Sequence, residues 1–283
     1  MFQKILLNVS YSITILKTIL DSGSLLEMII NSPTRLILVD TRTFNEYAQG
    51  HLPGAVNLDL MQFHWLDTSK GGIFQFNKQM KLLLNYLGID SSYTVIFYDD
   101  ISGPTASRGV WLLNYFSLHN VFILDGGFKY WIKCNYPVET TTNRFKHNKC
   151  NFSINKSILA DIQHVKNSIN SDKDVVVIDS RSEVEYNGTV ARAFHRGHIP
   201  NSKNIDWVNN LENEKFLDFD KLKRLYSFIP KETEIITYCH GGYRASNTYL
   251  VLKQLGYNNV KMYLGSWEEW GNNPKLPVES NGY

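Results

Sequence analysis

Cysteine is scarce in this chain: its 283 residues hold only Cys134, Cys150 and Cys239. They form no C-x-x-C pair and follow no regular spacing, which speaks against a disulfide framework or a zinc site and for a reducing, cytoplasmic setting. An excess of one charge sign is missing too. Lys and Arg number 29 against 27 Asp and Glu, a net charge of +2, and their scatter leaves no basic footprint for a nucleic acid. No stretch reaches the roughly 18 apolar residues of a membrane span. Residues 1–20 come nearest, with an early Lys4 and an apolar run after it. Asn8, Ser10, Ser12 and Lys17 interrupt that run and no small-x-small cleavage pattern follows, so the segment is expected to pack on the first domain. What is present, 43% hydrophobic and 13% aromatic residues, excludes collagen-like and disordered classes. The length suits two domains of roughly 130 to 140 residues each.

Self-similarity supports that division. An offset of 139 residues carries Asp40-Thr41-Arg42 onto Asp179-Ser180-Arg181, each ending an apolar run. The same offset carries Gly103 onto Gly242, Ala106-Ser107 onto Ala245-Ser246, Gly126 onto Gly265 and Trp131 onto Trp270. Gly50-His51-Leu52-Pro53 answers Gly197-His198-Ile199-Pro200 after eight further residues, which marks an insertion around 187–195 in the second copy. Val- and Ile-rich runs alternate with helical patterns, so each copy reads as a mostly parallel sheet flanked by helices, an α/β fold. Strands are expected near 36–40, 94–98 and 121–124, then near 175–179, 204–206, 234–238 and 260–263. Helices are expected near 78–87 and 105–117, then near 158–169, 219–228 and 244–255. Residues 137–156 are polar, basic and aperiodic, the composition of a linker. The domains are thus read as 1–136 and 157–283.

Chemistry is expected where the copies differ. The strand at 234–238 runs into Cys239-His240-Gly241-Gly242-Tyr243-Arg244, and a helix follows. The N–H groups and dipole of a helix start favour an anion, as does Arg244, and the two glycines let the backbone turn inward as a nest. Cysteines in such surroundings ionise well below the ordinary value of about 8.5, which makes Cys239 the candidate nucleophile. By the 139 offset Cys239 falls on Asp100 and Arg244 on Thr105, so the first copy is expected to be inert.

The doubled pattern of Asp-x-Arg, Gly-His-Leu/Ile-Pro, a Cys-x-x-Gly-x-Arg loop and Gly-Gly/Ser-aromatic-x-x-Trp resembles the two-domain rhodanese family, the thiosulfate and 3-mercaptopyruvate sulfurtransferases. The resemblance covers the chain after about residue 24. It implies two tandem rhodanese-like domains, the second catalytic, with its active loop facing the first across a cleft. It implies ping-pong transfer of a sulfane sulfur through a Cys239 persulfide cradled by the N–H groups of His240, Gly241, Gly242, Tyr243 and Arg244. Cyanide, a small thiol or a reduced protein dithiol would accept the sulfur, and no metal or organic cofactor is implied.

The donor is where this chain departs from the family. Mercaptopyruvate enzymes usually carry a Cys-Gly-Ser-Gly-Val-Thr-Ala-like loop, and the family's substrate-binding Arg, four residues after the Arg of Asp-Ser-Arg, is here Glu185. A carboxylate there is expected to repel mercaptopyruvate and Arg244 to hold the sulfonate of thiosulfate. Thiosulfate is therefore the first donor and 3-mercaptopyruvate the alternative. Arg192 and Arg196 in the insertion offer either a cationic rim or a solvent-facing structural role. Asp179 and Arg181, repeated as Asp40 and Arg42, are expected to hold the fold and orient the loop, and His51 and His198 to stabilise turns. His240 acts as a general base only if its ring turns back to Cys239. Trp207, Trp267 and Trp270 read as core, Tyr243 as facing the cleft, and Cys134 and Cys150 as free thiols. A phosphatase or arsenate reductase of related fold is the enzyme competitor, but those resemble Cys-x5-Arg and this loop is Cys-x4-Arg. A non-enzymatic persulfide carrier for a protein partner is the competitor from another class.

Overall fold

The computed structural model describes residues 18–31, 33–169 and 174–280; the expected packing of the N-terminal segment lies outside these up to residue 17. Two five-stranded, all-parallel sheets follow one another. The first has β1 (Ile19–Leu20), β2 (Leu36–Asp40), β3 (Val56–Asn57), β4 (Thr94–Tyr98) and β5 (Val121–Leu124), in the order β1-β5-β4-β2-β3. Around it lie α1 (Ser22–Asn31), α2 (Phe44–Gln49), α3 (Lys70–Leu87), α4 (Pro104–Tyr115) and α5 (Gly127–Lys133). The second repeats the plan with β6 (Leu159–Ala160), β7 (Val175–Asp179), β8 (Lys203–Asn204), β11 (Glu234–Tyr238) and β12 (Val260–Tyr263), in the order β6-β12-β11-β7-β8. Its helices are α6 (Ile162–Ile169), α7 (Glu183–Tyr186), α8 (Phe219–Leu225), α9 (Arg244–Gln254) and α10 (Ser266–Trp270). A hairpin, β9 (Leu211–Glu212) with β10 (Lys215–Phe216), stands apart from the second sheet.

The central strands TVIFY and EIITY are buried along most of their length, as β-branched and aromatic runs covered by helices on both faces should be. Their registers match: Asp40 pairs with Tyr98 and Asp179 with Tyr238. Each Asp-x-Arg turn therefore sits beside the end of the strand that carries the loop of interest. The aspartate accepts from the arginine Nε and Nη2 in both copies, and the same Nη2 donates to the carbonyl of Gly50 or Gly197 at 2.8 Å. His51 and His198 likewise repeat, each Nδ1–H donating to a tyrosine carbonyl at 2.8 Å with the ring stacked on that tyrosine.

Three details differ from the sequence reading. α3 starts at Lys70, eight residues before the expected helix, because Ser69 caps it by accepting from Gly72 N–H and so offsets two glycines that read as breakers. α6 starts at Ile162, because residues before it form a short 3-10 turn and the edge strand β6. The polar segment after Pro137 is not free in solvent: Asn143, Asn148, Cys150 and Asn155 hydrogen-bond to Ala55, Asn85 and Tyr115 of the first unit.

The two units share a core. Helices α4 and α9 pack against each other, and one apolar cluster runs from Val39, Phe97, Trp111 and Tyr115 to Tyr249, Leu252, Met262 and Cys239. Burial of each large apolar side chain contributes about 1.5–3 kcal/mol, so this shared layer couples the stability of both copies. It also fixes what each unit presents to the other's loop.

Candidate active site

Cys239 follows β11, and α9 begins five residues later. Gly242, in the left-handed region at φ 83°, turns its N–H inward to donate to Cys239 Sγ at 3.1 Å. The Cys239 N–H donates to Ser266 Oγ at 3.2 Å, and its carbonyl accepts from Trp267 N–H at 2.9 Å. Only 1% of the residue is exposed. Ser266 holds a left-handed φ of 53°, a conformation that costs a non-glycine residue on the order of 1 kcal/mol. Its counterpart Gly127 has φ 55°, and a side chain there would strike the carbonyls of Asp99 and Ile101. Ser266 thus carries a strain that its hydroxyl turns to use, as the anchor of the Cys239 amide. The replacement of Gly126-Gly127 by Gly265-Ser266 was the sequence signal for it.

The first copy shows what such a loop binds. Asp99, not Asp100, follows β4 as Cys239 follows β11, because this loop is one residue longer and the offset is 140 at the strand but 139 at the helix. The expected alignment of Cys239 with Asp100 is corrected accordingly. Asp99 Oδ1 accepts from the N–H groups of Ile101 and Gly103. Its Oδ2 accepts from the N–H groups of Thr105 and Ala106 at 3.2 Å and from Thr105 Oγ1 at 2.9 Å. A carboxylate is therefore held on five donors by a loop of the same plan.

The charges around Cys239 are arranged differently from the sequence reading. Arg244 Nη1 and Nη2 grip Glu185 at 2.6 and 3.0 Å, so neither a lone carboxylate nor an unengaged guanidinium stands beside the loop. Burial works against the Glu185 carboxylate, but Arg244 and the Ser182 hydroxyl and N–H outweigh it and hold Glu185 down at about 2. Glu185 is also the third helical residue, and so the partner of Ser182 in a capping box, as Glu46 is with Thr43 in the first copy. Its identity therefore has a local structural cause. Arg192 approaches Glu185 at 3.4 Å and is half exposed, leaving one net positive charge at the rim. Arg196 instead points back to the carbonyls of Gly188 and Thr189 at 3.4 Å and braces the insertion.

Residues 60–68 of the first unit lie over the loop. Tyr243 crosses to donate its hydroxyl to the Leu60 carbonyl at 2.8 Å. The His64 ring rests against Gly241, where any side chain would strike it. His64 Nε2 reaches Glu268 Oε2 at 2.9 Å and His240 Nε2 reaches the same oxygen at 3.4 Å. His240 is thus turned towards Glu268, and burial lowers its pKa. Glu269 accepts from Thr68 N–H and Oγ1 at 2.7 and 2.6 Å. Asp179 and Arg181 lie beneath, bonded to each other and with Arg181 over the Trp267 ring. Trp267 and Trp270 are buried, while Trp207 is half-buried. Cys134 and Cys150 are free thiols. Arg108 of α4, which the sequence reading passed over, lies next to Gly242. Its signal was a lone charge inside the run Ala106–Leu113, all of it buried, with no acid one turn away on either side.

Among the described residues no three His, Cys, Asp or Glu side chains are grouped to hold a metal ion. Likewise, no described helix is long and apolar enough to cross a membrane.

A cysteine whose Sγ accepts from an inward-turned amide at a strand–loop–helix junction, in one of two tandem α/β units, has the form of a cysteine enzyme of group transfer. The rhodanese-like domain model matches residues 21–134 and again 161–273; the chain belongs to the rhodanese family, with two such domains. A thiosulfate sulfurtransferase of Pseudomonas aeruginosa is 32% identical over 248 residues, covering 86% of this chain and 91% of that protein. The 3-mercaptopyruvate sulfurtransferase of Escherichia coli is 26% identical, covering 85% and 87%. The crystal structure of SseA from Escherichia coli, described as a 3-mercaptopyruvate sulfotransferase with the rhodanese fold, superposes with a TM-score of 0.75. It is 24% identical and the match covers 89% of this chain and 99% of that one. The chain is an enzyme of the sulfurtransferase class.

Proposed function

We propose that Cys239 accepts the sulfane sulfur of thiosulfate as a persulfide and passes it to a thiophilic acceptor. The observation that carries this is the pair of loops: the first holds both oxygens of Asp99 on N–H groups, and the second holds Sγ on the N–H of Gly242, the counterpart of Gly103. The remaining amides that bind Asp99 Oδ2, those of Thr105 and Ala106, have counterparts in Arg244 and Ala245. These open α9, where first-turn N–H groups lack intrahelical acceptors. Asp99 Oδ1 thus stands in for Sγ and Oδ2 for the outer sulfur.

In the first half-reaction the Cys239 thiolate attacks the outer sulfur, its S–S bond to the sulfonate sulfur breaks, and sulfite leaves with the electron pair. Charge is conserved, and the persulfide anion lies among fixed dipoles that need no reorganisation. In the second, an acceptor such as cyanide or a thiolate attacks that outer sulfur and returns the Cys239 thiolate. Thiosulfate is favoured as donor by its doubly negative charge facing the one net positive charge that Arg192 leaves at the rim, and by the 32% identical relative named for it. Mercaptopyruvate is the second donor, favoured by the relative named for that substrate.

Steady-state assays with thiosulfate or 3-mercaptopyruvate against cyanide test this reading. Parallel double-reciprocal lines and a higher kcat/KM for thiosulfate are expected. Single-turnover loading without release to any small acceptor would instead establish a carrier, and aryl phosphate hydrolysis without sulfur loading a phosphatase.

A further inference from the structure

Arg244 is occupied by Glu185, so the negative sulfur at Cys239 needs another source of positive charge. Arg108, on α4 of the first unit, is 4% exposed, and among the described residues no carboxylate lies within ion-pair distance of it. Its neighbours are soft and uncharged: the guanidinium lies 4.6 Å from the Trp111 ring centroid and 5.5 Å from that of Tyr243, and Nη1 donates to Met262 Sδ at 3.6 Å. The same Nη1 would be 3.3 Å from a side chain at Gly242, the residue whose N–H holds Sγ. Burial pushes Arg108 down to about 10, and Tyr243 and Cys239 are the groups that oppose the fall. At neutral pH it remains a cation.

A buried guanidinium without an anion is costly, so its place calls for a partner charge. The pseudo-symmetry of the two units says which way it is aimed. Asn247, at the matching position of α9, crosses the interface to donate to Ser102 O at 2.8 Å and Ser107 Oγ at 3.4 Å in the first unit. Arg108 makes the reverse crossing towards the second unit's loop. We infer that Arg108 is a positioning residue of the catalytic domain, supplied by the inert one, whose charge holds the Cys239 thiolate and persulfide in the nest. The inference rests on the proposed role of Cys239.

The charged and titratable groups facing this thiol are Arg108 from α4, Arg244, Tyr243 and His240 from the loop, and His64 from the overlying segment. Glu185 and Glu268 act through the arginine and the two histidines they hold. Of these, Arg108 alone is a cation with no carboxylate within ion-pair distance among the described residues, so its removal should act on the thiol most directly.

The test measures Cys239 alkylation by iodoacetamide against pH, and sulfur loading from thiosulfate by intact mass, in the parent, Arg108→Met, Arg108→Gln and Arg108→Lys, with thermal unfolding of each. In the neutral variants the pH of half-maximal alkylation is expected to rise by about one unit and loading at pH 7 to slow about tenfold. Arg108→Lys should recover most of both. Folded neutral variants with the parent's alkylation profile would overturn the inference. Should neither neutral variant fold, the parent is compared with Cys239→Ala in thermal unfolding between pH 6 and 9. A stability advantage of the parent that grows with pH supports the pairing, and a constant difference overturns it. A parent that takes up no sulfur would remove the Cys239 reading itself, an outcome distinct from unaltered variants of an active parent.

Discussion

At the end of β4 four loop amides close on the Asp99 carboxylate; at the end of β11 one amide of the matching loop, that of Gly242, donates to Cys239 Sγ. The first loop is sealed by the hairpin of the second unit, where Ser102 N–H donates to Glu214 O and Phe216 N–H to Asp125. The second lies under residues 60–68 of the first. Each unit therefore covers the other's loop, and the two loops differ by few changes: Cys for Asp, Arg244 for Thr105, Ser266 for Gly127 and one residue less in the loop. An internal carboxylate fills the first nest, where a transferable sulfur is proposed for the second.

The largest break in this comparison is Cys239→Ala, expected to lower sulfur transfer by at least about a thousand-fold in steady-state assays while the fold is kept. Next is Glu185→Gln, which leaves Arg244 with a neutral partner. A stability loss of up to about 3 kcal/mol is expected in urea unfolding near pH 7. Because Glu185 is depressed from its ordinary 4.5 to about 2, its contribution is complete above about 4.5 and disappears as pH falls through about 2. The gap between parent and variant should close over that window. Glu46→Gln, at the same place in the first copy but without an Arg244, should cost far less, since Gln also serves a capping box.

Asp99→Asn probes the other loop. Asn turns an N–H₂ towards donors that need an acceptor, so about 1–3 kcal/mol of stability should be lost at pH 7. Burial pushes Asp99 up to about 6 despite the hydrogen bonds that favour the carboxylate. Its contribution is therefore largest below about 4 and falls as pH rises through about 6, a slope the variant should lack. Sulfur transfer should change little, because the sulfur is proposed to sit in the second nest. The smallest effect belongs to Ser266→Gly. Relief of left-handed strain offsets the lost hydroxyl bond, so stability is expected to stay within about 1 kcal/mol. Turnover should fall a few-fold as the Cys239 amide loses its anchor, and steady-state rates would show it.

Much of this was legible in the chain. Strands at 36–40, 94–98, 175–179 and 234–238 follow from apolar β-branched runs that end on repeated polar turns, and the Cys239 loop follows from two glycines and an arginine between strand and helix. Local patterns do not report which distant residues meet. Arg244 and Glu185 meet though 59 residues apart, and counting residues between them gives no hint of it. Arg108 reads as a helix residue until α4 is seen against α9. The Asp99 register was missed because the loops differ in length by one residue, so alignment from the helix side points to Asp100. The edge strands β1 and β6 have two residues each, too few for any periodicity.

The most direct test of the central claim is the intact mass of the reduced protein after incubation with thiosulfate, beside Cys239→Ser. A gain of one sulfur by the parent alone is the predicted result. No gain in the parent, or the same gain in both proteins, would contradict the assignment of the second nest as the place where sulfur is carried.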